Sequence, residues 1–147
     1  MMLDIQIGGS VNQPLRDLEV RRKELFRQID SLGDFRRGTI SVNYRKCGKS
    51  NCACARKGHP GHGPQYLWNV SVGGKTQARN LSLGPELEKV KQEVERYQSF
   101  VRLSQELIAV NDQICQLRPA RTIKDENELE QLKKKLRRNF VEKRKRK

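Results

Sequence analysis

The chain has 147 residues, 31 Lys and Arg against 17 Asp and Glu, a formal net charge of +14 and only 35% hydrophobic residues. That length gives one ordinary domain or a small domain with helical extensions, and the apolar content is too low for a large central core. No run of ~18 apolar residues is present to form a membrane-spanning helix, and residues 1–10 lack the basic-then-apolar order of a secretory leader.

The charge is segregated along the chain. Residues 1–34 and 85–118 each sum to −1, residues 119–147 to +7, and residues 35–84 to +9 with nine basic and no acidic side chains. An acid-free stretch of that length points to a partner that supplies the negative charge.

Residues 12–33 read as a first helix. Leu15, Leu18, Leu25, Ile29 and Leu32 form a heptad seam with Arg22 in the missing place. Pro14 suits its first turn, Asn12 its cap and Gly33 its end.

Residues 36–84 read as a strand-rich module. Thr39 to Tyr44, Gln65 to Val72 and Lys75 to Leu83 alternate as strands, and Gly73-Gly74 is a two-residue hairpin signal. A turn there sets Val72 opposite Lys75, Trp68 opposite Arg79 and Tyr66 opposite Leu81. The aromatic face is expected to be core, with Arg79 stacked on Trp68. The other face shows Asn69, Ser71, Thr76, Ala78 and Asn80, all uncharged.

Residues 85–118 read as a long helix opened by Pro85 and stopped by Pro119. Leu87, Val90, Val94, Tyr97 and Val101 form one seam. Phe100, Leu103, Leu107, Val110, Ile114 and Leu117 form a second, shifted by one residue. At ~1.5 Å per residue such a helix spans roughly 50 Å. The helix of residues 14–32 covers only part of it, which predicts a homo-oligomer or a larger protein partner for helices 14–32 and 85–118. Residues 119–147 form a basic tail in which 125–140 keep a helical spacing. The expected fold is therefore α+β, a small three-stranded antiparallel sheet with a Cys/His loop, flanked by an N-terminal helix and a long, projecting, coiled-coil-like C-terminal helix.

Cys47, Cys52, Cys54, His59 and His62 lie within one short stretch. Zn2+ takes four tetrahedral thiolate or imidazole ligands, and a loop of this kind can supply Cys47, Cys52, Cys54 and His62, with His59 as the alternative fourth ligand. A metal-free knuckle held by packing stays open beside it, and redox or nucleophilic chemistry is a third reading. Cys115, on the apolar seam, reads as a small buried hydrophobe.

The run Tyr44-Arg45-Lys46-Cys47-Gly48-Lys49, then Cys52-Ala53-Cys54, then His62-Gly63-Pro64 and the hairpin, resembles an uncharacterised prokaryotic family of small basic proteins known only by a domain of unknown function. The resemblance covers roughly residues 38–117. Several members are encoded near transposases or other mobile-element genes, so it implies a setting of DNA mobility and no established activity. At fold level, three strands followed by a helix are also similar to the sheet-type DNA-binding domains of some integrases and plant proteins.

The expected function is non-enzymatic nucleic-acid binding, with DNA favoured over RNA, as an accessory to a recombinase or transposase. No nucleophile–base arrangement or phosphate loop can be read in the sequence. Phosphate contacts fall to Arg36, Arg37, Arg45, Lys46, Lys49, Arg56 and Lys57 in the module, and to Lys133, Lys134, Lys135, Arg137, Arg138, Lys143, Arg144, Lys145 and Arg146 in the tail. Base edges fall to Asn69, Thr76 and Asn80. No membrane partner is expected, and the expected location is the cytoplasm, on the nucleoid. The alternative is a coiled-coil adaptor whose basic module docks an acidic protein.

Overall fold

The computed structural model describes residues 13–146. The elements in chain order are α1 (Gln13–Asp30), β1 (Thr39–Arg45), β2 (His62–Val72), β3 (Lys75–Leu81), α2 (Pro85–Leu117) and α3 (Glu126–Lys145), with a single 3-10 turn at Ala53–Ala55. The class is α+β, as the periodicities predict. The chain divides into two compact units after Ile114. Among the described residues no helix is long and apolar enough to cross a membrane.

In the first unit the heptad seam of α1 lies on the second seam of α2. Leu25 is fully buried against Leu103, Val110 and Ile114, with Leu15, Leu18, Ile29, Leu32 and Leu107 closing around them. The charged gap in the seam is satisfied across the interface: Arg22 Nη1 donates to Asn111 Oδ1 at 3.3 Å, and Asn111 Nδ2 donates to the Leu107 carbonyl at 3.1 Å. Beside it Arg21 Nε donates to Glu106 Oε1 at 2.8 Å. A polar pair in an apolar seam fixes register, because any slip leaves it unpaired. The Asn12 cap expected for α1 lies outside the described residues.

The first seam of α2 faces a different element. Leu81, Val90 and Val94 form a second buried cluster with Ile40, Tyr66, Trp68 and Leu87, so the sheet packs on the start of the helix. Successive helical residues are turned by ~100°. A one-residue shift between seams therefore aims the two halves of α2 at two partners, the sheet and α1. Phe35, in the α1–β1 connection, bridges them, with its ring 4.7 Å from Phe100 and 6.2 Å from Tyr97. The sheet and α1 thus cover different parts of α2, while Ile108 and Leu117 on the same helix stay exposed.

The sheet is antiparallel in the order β1-β2-β3. Val72 pairs with Lys75, Val70 with Gln77, Trp68 with Arg79 and Tyr66 with Leu81, the register expected from the sequence. Gly73 (φ 56°) and Gly74 (φ 77°) form the turn, and two successive positive φ values are what a tight type I′ hairpin requires. The expected stack of Arg79 on Trp68 is not formed. Arg79 Nη2 instead donates to Glu86 Oε1 at 2.6 Å, and the guanidinium over the Trp68 ring, at 4.7 Å, is that of Arg36.

Arg36 is held there by Glu93 on α2, itself only 7% exposed. Glu93 Oε2 accepts from Arg36 Nε at 3.2 Å, and Oε1 accepts from Lys89 Nζ at 2.6 Å. Lys89 and then Arg36 hold this carboxyl below the ordinary value near 4.5, against the opposing effect of burial. A depressed carboxylate stabilises the fold above its unfolded value and loses that contribution as pH falls through the folded value. Glu93→Gln should therefore cost about 2 kcal/mol at neutral pH. Urea melts at stepped pH should show the gap to the parent protein closing below pH ~4.

In the second unit, Asp125 caps α3 by accepting from the Asn127 N–H at 2.9 Å, with Glu126 and Glu128 in the first turn and Lys143, Arg144 and Lys145 in the last. That charge order complements the helix dipole, and α3 runs to Lys145, beyond the expected end at residue 140. None of its residues is buried, and Leu136 and Phe140 are 44% and 71% exposed. Cys115 is exposed, contrary to the expectation of a buried hydrophobe. Ile114 takes the inward place, and the next residue along the helix turns away.

Candidate metal centre and basic surface

The loop between β1 and β2 is built to fold back on itself. Backbone bonds from Cys52 N–H to the Lys49 carbonyl, Ala55 N–H to Cys52 and Arg56 N–H to Ala53 wind it through the 3-10 turn, which puts Cys54 in the interior at 1% exposure. Gly61 (φ 106°) then returns the chain to β1. A Cβ there would sit 2.7 Å from the backbone of Arg45, so only glycine allows the approach. His62 follows at once, opposite Arg45 at the irregular end of the β1–β2 ladder.

These turns bring Cys47, Cys52, Cys54 and His62 together, with all four ligand atoms within 4.8 Å of one another. Cys47 Sγ is 3.4 Å from Cys54 Sγ, and Cys52 Sγ is 3.2 Å from His62 Nε2. Neighbouring sulfurs of a zinc tetrahedron with ~2.3 Å bonds lie roughly 3.8 Å apart. A modest expansion of the cluster would thus admit an ion, and the four residues can hold a metal. His59 is used elsewhere: its Nδ1 accepts the Gly61 N–H at 2.9 Å and so ties the loop.

The cluster favours a thiolate. The Cys47 thiol is drawn down to about 6, first by the Lys49 backbone N–H and then by His62 and Cys54. Cys54 is pushed up. The Cys47 backbone N–H favours its thiolate, but burial and the Cys47 and Cys52 sulfurs outweigh that bond. Three sulfurs and an imidazole are a donor set that structural zinc sites use.

The module also carries a set of free cations, five of them at the loop and two, Arg37 and Lys75, at the other end of the sheet. Arg37, Arg45, Lys46, Lys49, Arg56, Lys57 and Lys75 are all exposed, and none has a carboxylate partner among the described residues. Two cations of the acid-free segment are neutralised by α2: Arg36 by Glu93 and Arg79 by Glu86. Arg36 therefore leaves the set of phosphate contacts, because its guanidinium is spent on a buried carboxylate and an indole face. Among the expected base readers, Thr76 and Asn80 are exposed on the open sheet face, whereas Asn69 Nδ2 is tied to Ser41 Oγ at 2.8 Å. In the tail, Lys133, Lys134, Lys135, Arg137, Arg138, Lys143, Arg144, Lys145 and Arg146 are all exposed, with Lys133 bonded to Glu130 at 2.9 Å. Asn43 and Gln65, absent from the sequence-derived set, lie on the same sheet face as Asn80. Their signal was the strand alternation itself, continued toward the loop.

The family described as "Domain of unknown function (DUF6788)" matches residues 15–92, just over half of the chain, and the chain belongs to it. The match starts in α1, takes in the whole sheet and the Cys/His loop, and ends within the first turns of α2. It thus includes the N-terminal helix, which lies outside the resemblance read over residues 38–117. No curated protein and no solved structure matches the chain.

Proposed function

We propose that this member of the DUF6788 family is a non-enzymatic accessory protein that binds duplex DNA, acting with a recombinase or transposase of a mobile element or as a dimer. In this reading Cys47, Cys52, Cys54 and His62 hold Zn2+, which suits a donor set of three soft thiolates and one imidazole. The ion would keep the loop cations at fixed positions, so that less chain entropy is lost on binding. It would perform no chemistry itself.

The observation that carries the proposal is the set of seven exposed, unneutralised cations on one small module. Basic side chains of this kind fix a protein on a polyanion, while a two-stranded ribbon fits the ~12 Å major groove. The mobile-element setting rests on the resemblance alone. Residence on the nucleoid follows from binding DNA. The exposed Leu136 and Phe140 of α3 favour a protein partner as well, and they keep the adaptor reading in view. Competition between duplex DNA and an acidic protein, at varied salt, separates the two.

Fluorescence anisotropy with duplex DNA, single-stranded DNA and duplex RNA of one length tests the proposal directly. Duplex DNA should bind tightest, and a preference for duplex RNA overturns the assignment. Deleting residues 141–147 should weaken binding to every sequence. It should also flatten the log–log salt dependence by ~0.9 for each phosphate that the tail neutralises. An unchanged slope removes the tail from the interface.

A further inference from the structure

The open face of the sheet holds a feature that phosphate binding does not use. Asn43 on β1 pairs with Gln65 on β2, and Leu67, two residues on, pairs with Asn80 on β3. Residues two apart on a strand share a face. The three amides therefore stand around Leu67, and together with Arg45 they line a shallow cleft of about 490 Å³. All three amides are exposed, Leu67 is half-buried between them, and the amides have no side-chain hydrogen bond among the described residues. Asn69, further along β2, is by contrast bonded to Ser41. No residue of β1, β2 or β3 on this face carries a charge until Arg45 at its rim.

We infer that Asn43, Gln65 and Asn80 read adenine in the major groove, with Leu67 against the neighbouring thymine methyl, so that the module prefers A·T-rich duplexes. The inference rests on the duplex-DNA reading above and adds its sequence preference. A side-chain amide offers one donor and one acceptor side by side, which matches the N7 acceptor and N6 donor of adenine, and an apolar group suits the methyl of thymine. Neighbouring strands lie ~4.8 Å apart, so three strands span ~10 Å, within the ~12 Å groove. The adjoining surface is complementary in charge: Arg45, Lys46 and Lys49 follow Asn43 at the loop end, which places cations for the phosphates beside an uncharged reading face.

The test uses the full chain and two duplexes of equal length, one A·T-rich and one G·C-rich, at one fixed salt concentration. The protein should favour the A·T-rich duplex by about tenfold or more, since a good bidentate pair discriminates ~5–150-fold. The triple variant Asn43→Ala, Gln65→Ala, Asn80→Ala should reduce this preference to about twofold while leaving affinity for the G·C-rich duplex nearly unchanged. A second measurement needs no variant: replacing adenine by 7-deazaadenine removes the N7 acceptor and should weaken binding of the parent protein by about fivefold or more. Equal binding of both duplexes, a preference that survives the triple variant, or indifference to 7-deazaadenine each overturns the amide reader and leaves DNA binding standing. Failure to bind either duplex at low salt overturns the DNA reading, and the reader with it.

Discussion

Stripped of metal by a strong chelator, the protein should lose the order of residues 47–62 while the packing of α1 on α2 survives. The expectation follows from what holds each part. The loop contributes one buried side chain, Cys54, and neither apolar cluster of the first unit includes any loop residue. A few turn hydrogen bonds and the His59–Gly61 contact are its other restraints. In zinc-finger peptides a structural Zn2+ supplies an apparent ~10–16 kcal/mol of folding free energy, so its loss should free the loop outright. Trypsin reads this locally, because Lys46, Lys49, Arg56 and Lys57 become cleavable on chelation and are protected in the metal-bound protein. Native protein should carry one zinc per chain by elemental analysis, and Cys54→Ser should carry little. Each thiol must shed its proton to bind as thiolate, so retention weakens as pH falls. Zinc near zero on native protein, or a loop equally protected with and without chelator, overturns the metal centre.

The parts of the fold that were legible in the sequence share a cause: short-range periodicity. The Gly73-Gly74 turn fixed the pairing of β2 with β3, and two seams one residue out of phase marked two packing surfaces on α2. Of the two histidines offered by the spacing, His62 joins the three cysteines and His59 ties the loop through Gly61. What escaped were long-range choices. Arg36 stands in an acid-free segment, so the sequence placed it with the phosphate ligands. Its carboxylate, Glu93, lies 57 residues away and becomes its neighbour only when α2 packs on the sheet. The same packing sends Arg79 to Glu86 and gives its expected place over Trp68 to Arg36. Cys115 shows the limit of seam reading near a helix end, where one residue decides between Ile114 inside and its neighbour outside. For the candidate site, the Cys/His cluster was legible because its residues are close in sequence. The trio of Asn43, Gln65 and Asn80 was legible only in part, because three strands must align before the amides form a group.

That division between neutralised and free cations leads to the largest expected effect on binding. Converting Arg45, Lys46, Lys49, Arg56 and Lys57 together to Gln removes five exposed charges in and beside the Cys/His loop, keeps the four candidate ligands, and touches the turns only at side chains, since Lys49 and Arg56 bond there through their backbone. If each meets one phosphate, the log–log salt slope for duplex DNA falls by about 4.5. Extrapolated from ~1 M salt, where counterion release no longer drives binding, that slope corresponds to a loss of roughly three to four orders of magnitude in affinity at physiological ionic strength. Anisotropy titrations across a salt series measure both quantities at once. The contrasting variants are Arg36→Gln and Arg79→Gln. These remove the same charge from the same segment, but their cations already belong to Glu93 and Glu86, so the slope should barely change. Arg36→Gln should instead lower the melting temperature, since it leaves the Glu93 carboxylate partly unpaired in the interior. A merely basic surface would lose affinity in proportion to charge wherever charge is removed. A surface built around the Cys/His loop loses it in one place and not the other, and equal slopes for both sets of variants would return the +14 of this chain to a matter of solubility.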